Sequence, residues 1–152
     1  MEILERKMTA HALKLKFPDW RHQIIQTLRE LSDELHQREH WVYTRESQPD
    51  PSPFQRAIDS IINDGWYDDY PERAIGGTLR DIKEAMAMYK VAKSMLRVLD
   101  VQQERKKAAG NGSAWMTNAE TIELAQWKDV VEASRSALDL MEKNDARAQA
   151  TP

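Results

Sequence analysis

His36 and His40, within His36-Gln37-Arg38-Glu39-His40, fit the H-x-x-E-H pattern used by some zinc peptidases. Histidines four residues apart project from one helical face, and Glu39 beside them could serve as a base. A third ligand would have to come from another helix. The flanking residues are polar and no cleft-forming elements surround them, so the pattern reads first as a charge-rich helix end. A metal hydrolase using His36 and His40 is the third of three functional readings.

A second group of reactive types lies in Asp64–Asp81, DGWYDDYPERAIGGTLRD. Asp64, Asp68, Asp69 and Glu72 could coordinate a hard cation or act as paired carboxylates. The EF-hand spacing is absent, and Asp commonly caps turns and helix ends. Trp66, Tyr67 and Tyr70 are interleaved with these acids, a mixture that suits docking onto a basic partner. The acids would steer the encounter and the rings would supply desolvated anchors. The plainer expectation for the rings is that Trp66 and Tyr70 pack inward and pin the loop. Gly76-Gly77 before a helix invites phosphate. Here, though, no Walker pattern and no preceding strand accompany the pair and the neighbouring loop is acidic, so a tight turn is expected.

Composition narrows the chemistry further. The 152 residues contain no cysteine, which excludes disulfides, thiol catalysis and Cys-ligated zinc. The histidines (His11, His22, His36, His40) all lie early and no nucleophile turn is recognisable, so no Ser-His-Asp arrangement can be built. No catalytic residue, metal or cofactor is therefore expected. A net charge of −3 and a pI near 5.8 disfavour a general nucleic-acid surface. No apolar run is long enough for a signal segment or membrane span, so the expected compartment is the cytoplasm.

The elements that must position these residues are helical. A first helix opens at Asp19, with Pro18 before it, Phe17 as a hydrophobic staple and Ile24, Leu28, Leu31 and Leu35 as its stripe, reaching His40 or Tyr43. Pro49, Pro51 and Pro53 mark a loop. Ser52 caps a short helix with Pro53 at its first position, an apolar face of Phe54, Ala57, Ile58, Ile61 and Ile62, and a left-handed Gly65 at its end. Thr78, with Asp81 three residues on, is expected to open the longest helix, whose stripe is Leu79, Ile82, Met86, Tyr89, Leu96 and Leu99, with Ala85, Ala92 and Met95 filling in. Met86, Met88 and Met95 read as core filler. Gly110-Asn111-Gly112-Ser113 breaks it. Thr117 and Glu120 form a capping-box pattern before a last helix with the stripe Trp127, Val130, Val131, Ser134, Leu138 and Met141. The expected fold is a single all-α domain, a bundle of about four main helices with a long central one. Residues 1–16 would be a weakly ordered arm, 17–143 the domain and 144–152 a frayed tail.

Charge is uneven along the chain. Residues 50–77 carry Asp50, Asp59, Asp64, Asp68, Asp69 and Glu72 against Arg56 and Arg73. The long helix that follows is rich in Lys and Arg, diluted by Asp81, Glu84, Asp100 and Glu104.

Three blocks, Arg21–Asp33 (RHQIIQTLRELSD), Asp68–Arg80 (DDYPERAIGGTLR) and Trp127–Leu138 (WKDVVEASRSAL), carry a likeness. Through them the chain resembles a family of small helical bacterial proteins, frequent in actinobacteria, some of which accompany polymorphic-toxin genes in the manner of immunity proteins. The resemblance implies a helical fold and a non-enzymatic, immunity-type role: binding a cognate toxin domain, often a basic nuclease, and blocking its active or substrate site. It supplies no catalytic residues. The residues expected to bind the partner are Asp59, Asp64, Trp66, Tyr67, Asp68, Asp69 and Glu72. The alternative is a helical adaptor that binds another host or phage protein.

Overall fold

The computed structural model describes residues 14–41, 52–110 and 116–150. Every regular element among these is helical, and one isolated bridge joins Ile75 and Leu79. The elements are α1 (Pro18–Ser32); α2 (Glu34–His36, passing into a π turn, Gln37–Trp41); α3 (Pro53–Ile58, passing into a π turn, Asp59–Asn63); a 3₁₀ turn (Pro71–Ala74); α4 (Ile82–Ala109); α5 (Asn118–Ile122); and α6 (Ala125–Ala150). The expected all-α single domain is what forms, with α4 its longest helix.

Local chemistry sets most of the helix starts. The Ser52 hydroxyl accepts from the Gln55 N–H, and Pro53 occupies the first position, where its missing N–H costs nothing. Thr117 and Glu120 satisfy each other's backbone N–H groups in a complete capping box. The Thr117 N–H and hydroxyl, both donating to it, hold the Glu120 carboxyl below its ordinary range. At the other end of α4, Gly110 has a positive φ and terminates the helix, while Asn111-Gly112-Ser113 lies outside the described residues.

Helix α6 packs against both α4 and α1. It is antiparallel to each: Asn144 bonds Glu84 and Asp145 bonds Arg21, whereas Arg135, earlier on α6, reaches the Ser32 carbonyl at the far end of α1. Its core face is Trp127, Val130, Val131, Ser134, Ala137 and Met141, with Leu138 half-buried beside it, close to the expected stripe. Trp127 sits among Trp41 and Phe54 in edge-to-face contacts at 5.7 and 5.3 Å. Its indole N–H donates to the Gln37 side-chain oxygen at 2.8 Å, and the Gln37 amide in turn donates to the Glu30 and Leu31 carbonyls. Buried Gln37 thus satisfies the Leu31 carbonyl at the end of α1 and shares the Glu30 carbonyl with the Asp33 N–H.

Several expectations are corrected. Helix α1 stops at Ser32, because Asp33 leaves helical geometry and its side chain caps His36 instead. The break rotates the following turn, so Leu35 is 66% exposed and Gln37 takes the inward position. Tyr43 lies outside the described residues, as do Pro49 and Pro51. Helix α4 starts at Ile82 with Asp81, not Thr78, as its cap, the Asp81 carboxylate accepting from the Glu84 N–H. Its buried face is Glu84, Ala85, Met88, Val91, Ala92, Met95 and Val98, while Ile82 and Met86 are exposed. Of the three methionines read as filler, Met88 and Met95 are buried and Met86 is not. The expected tail is helical to Ala150, and Asn144 and Asp145 in it make long-range contacts. The end of the expected arm is also held: Leu15 is buried and the Lys16 N–H donates to the Gly76 carbonyl, with residues 1–13 outside the described set.

Candidate functional site

The segment between α3 and α4 is built on a buried ionic network. Arg21 enters from α1 and forks onto Glu84 of α4: Nη1 donates to Oε1 at 2.7 Å and Nη2 to Oε2 at 3.0 Å. Nη1 also donates to the Thr78 carbonyl, and Nε donates to Asp145 of α6. Arg80 shares Asp145 at 2.7 Å and gives its backbone N–H to Glu84, while Asn144 bridges Asp81 and Glu84. Glu84 is wholly buried and Arg21 nearly so. Burial opposes the charge on Arg21, but the bonds and attraction of Glu84 and Asp145 outweigh it and hold the guanidinium above its usual pKa. A buried pair is tolerable only when its remaining donors and acceptors are satisfied, and backbone carbonyls and the Asn144 amide do that here.

Thr78 carries this network outward. Its hydroxyl bonds the Tyr67 phenol at 2.7 Å, and both side chains are buried. Burial pushes the Tyr67 phenol up to about 12. Tyr67 also explains Gly65: a Cβ there would stand 2.5 Å from the Tyr67 ring and 2.7 Å from the Ser60 carbonyl. Gly65 is thus required by close approach. The left-handed residue expected at position 65 is Trp66 (φ 58°), and Tyr70 (φ 57°) is a second.

Of the rings in the loop, then, Tyr67 points in, while Trp66 and Tyr70 are 59% and 54% exposed. This reverses the expectation that Trp66 and Tyr70 pack inward, and it removes Tyr67 from the partner-binding set. A tyrosine with an accessibility of 1% cannot touch a partner. Trp66 and Tyr70 join Phe17 and Trp20 around a cleft of about 320 Å³, with Thr78 and Gly77 among its walls. Phe17 and Trp20 meet edge to face at 5.8 Å, and Arg73 lies 4.7 Å over the Tyr70 ring. Trp20 also borders a neighbouring groove of about 420 Å³ that contains Asp59, Asp64 and Arg56. Asp59 is half-buried and accepts from Gln55 and Asn63; Asp64, Asp69 and Glu72 are exposed and Asp68 is half-buried. Asp59 and Asp64 are thus brought together, and Asp68, Asp69 and Glu72 sit on the turns that carry Trp66 and Tyr70.

The sequence reading missed Trp20 and Arg73 as walls of this cleft and missed the Arg21–Glu84–Asp145 network entirely. Trp20 had a signal: an aromatic three residues after Phe17 on a helix start, outside the Ile24–Leu31 stripe. The network had none, because its members lie up to 124 positions apart. The rings of His36 and His40 do meet, 4.5 Å apart, but no group of three or more His, Cys, Asp or Glu that could hold a metal occurs among the described residues. No helix among them is long and apolar enough to cross a membrane.

With this geometry in view, the chain belongs to the family described as Domain of unknown function (DUF7945), which matches it over residues 15–149. That span takes in α1 through α6, so the helical core and the aromatic cleft both fall within the family's domain. No curated protein and no solved structure matches the chain.

Proposed function

We propose that this is a non-catalytic protein-binding domain of the immunity type, which captures a basic toxin domain and blocks its active or substrate site. The observation that carries the reading is the conformation of Trp66 and Tyr70. Both are large, both are more than half exposed, and both hold a left-handed backbone that side-chain-bearing residues rarely adopt. Each such residue costs on the order of 1–3 kcal/mol, a strain that clusters at functional sites. Large exposed rings rimmed by polar residues are also the usual mark of an interaction surface. The surrounding acids give the sign of the partner, and the resemblance to immunity-type proteins gives its class. The reading requires no chemical step.

The experiment is a paired capture from the source organism at low salt, with wild-type chain and with Trp66→Ala/Tyr70→Ala as baits. A basic toxin domain held by the wild type, released by salt and lost from the double variant is the expected result. Co-expression then tests the role: the wild type rescues growth against that toxin and the double variant does not. A partner held equally by both baits overturns the site, and a partner that is not toxic overturns the immunity role in favour of an adaptor.

A further inference from the structure

The bundle has a second surface, which shares no lining residue with the aromatic cleft. A groove of about 890 Å³ runs between α4 and α6. Its α4 wall contributes four cations, Lys83, Lys90, Lys93 and Arg97, and no acid; its α6 wall contributes two acids, Asp129 and Glu132, and no cation. None of these six is in an ion pair among the described residues. The groove is also polarised lengthwise. Ile82 and Met86, both exposed, mark one end of α4, and Leu140 lies on the α6 wall. From Ile82 to Arg97 the rise of an α-helix gives about 22 Å of groove.

The antiparallel register fixes what lies opposite what. Glu84 is level with Asn144, so Arg97 falls near Asp129 and Glu132, and Met86 falls near the Leu140 end. Two symmetric ways exist to lay such a face on a copy of itself. A two-fold axis across the helices puts α4 on α4, cations on cations and Ile82 over Arg97. An axis along the helices puts the α4 of one copy over the α6 of the other at the same level. Then Lys93 and Arg97 meet Asp129 and Glu132, and Ile82 and Met86 meet Leu140. Charge and apolar surface select the same axis, and a two-fold contact repeats each pairing twice.

We infer that the α4–α6 face is a homodimer interface with its two-fold axis along the helices, and that its occupant is a second copy of this chain. Sedimentation equilibrium of the full chain tests it. The wild type at 50–100 μM (about the range used for such measurements of moderate affinity) sediments at twice the 17.6 kDa chain mass. Lys93→Glu/Arg97→Glu sets acid against Asp129 and Glu132 across the two-fold axis, and Asp129→Lys/Glu132→Lys sets cation against Lys93 and Arg97. Each variant alone stays folded by circular dichroism and loses dimer affinity at least tenfold. Mixed in equal amounts, the two variants regain dimer mass as a heterodimer. A wild type that remains monomeric, a dimer indifferent to either reversal, or a mixture that does not recover overturns the inference.

Discussion

Glu84 is the residue on which most of the architecture turns. It receives the Arg21 fork, the Arg80 N–H and the Asn144 amide while fully shielded from water. Removing one partner of such a pair strands the other charge, at a cost of about 3–5 kcal/mol, whereas replacing both by apolar groups of similar volume is often neutral. Glu84→Leu is therefore expected to lose about 3–5 kcal/mol in urea unfolding, and Arg21→Met/Glu84→Leu to recover most of the loss. Ser134 offers the opposite case. Its hydroxyl is buried without a hydrogen-bond partner among the described residues. Ser134→Ala should raise stability by roughly 1 kcal/mol, since an unsatisfied buried hydroxyl is a net cost. Tyr67 gives the pH dependence. Its phenol stands near 12 folded against 10.0 for the free group, so the fold favours the protonated form. The associated stability is complete below pH 10 and drains away as pH rises to about 12. Tyr67→Phe should flatten that alkaline limb in pH-dependent denaturation, because no ionisable group remains at the position.

At the scale of elements, the loop is strained where it presents its rings and rigid where it is seated. Trp66→Gly relieves the left-handed backbone but restores entropy to the unfolded chain, two effects of about 1 kcal/mol and opposite sign. Thermal denaturation should change little while partner capture is lost, which separates binding from folding at one position. Gly65→Ala should do the reverse, lowering stability by about 1–3 kcal/mol through overpacking against Tyr67 and the Ser60 carbonyl. What could be read from the sequence follows the same division. The caps at Ser52 and Thr117 and the face of α6 are local or periodic features, and they emerged as expected. The face of α4 emerged only in part: Ala85, Ala92 and Met95 are buried as expected, but apolar residues surround that helix on most sides, and Ile82 and Met86 are exposed while Met88, Val91 and Val98 are buried. Glu84, paired with Arg21 of α1, also lies on the buried side, and no local pattern reports it. Within the loop no period exists at all. Nothing in Trp66-Tyr67-Asp68-Asp69-Tyr70 reveals that the middle ring alone turns inward; Thr78 and Gly65 decide that from outside the segment. The candidate site was accordingly legible as a stretch of chain but not as a set of exposed side chains.

Across the whole molecule, the network joins the first helix to the last. Arg21 and Asp145, 124 positions apart, share a hydrogen bond, and Arg80 meets the same carboxylate from the middle of the chain. Cutting the chain after Lys143 would delete Asn144 and Asp145 together and leave Glu84, Arg21 and Arg80 each short of a partner. Such a truncated chain should show a cooperative loss of the tertiary near-ultraviolet signal at temperatures where the full chain keeps it. The same arrangement has a meaning in time as well as in space. A chain is made in sequence order, and here the arginine that organises the centre is made 124 positions before the Asp145 carboxylate that completes its surroundings. Until α6 emerges, the Arg21–Glu84 pair lacks the Asp145 carboxylate and the Asn144 amide that complete it. The network is therefore expected to close in one late step of folding rather than to grow with the polypeptide.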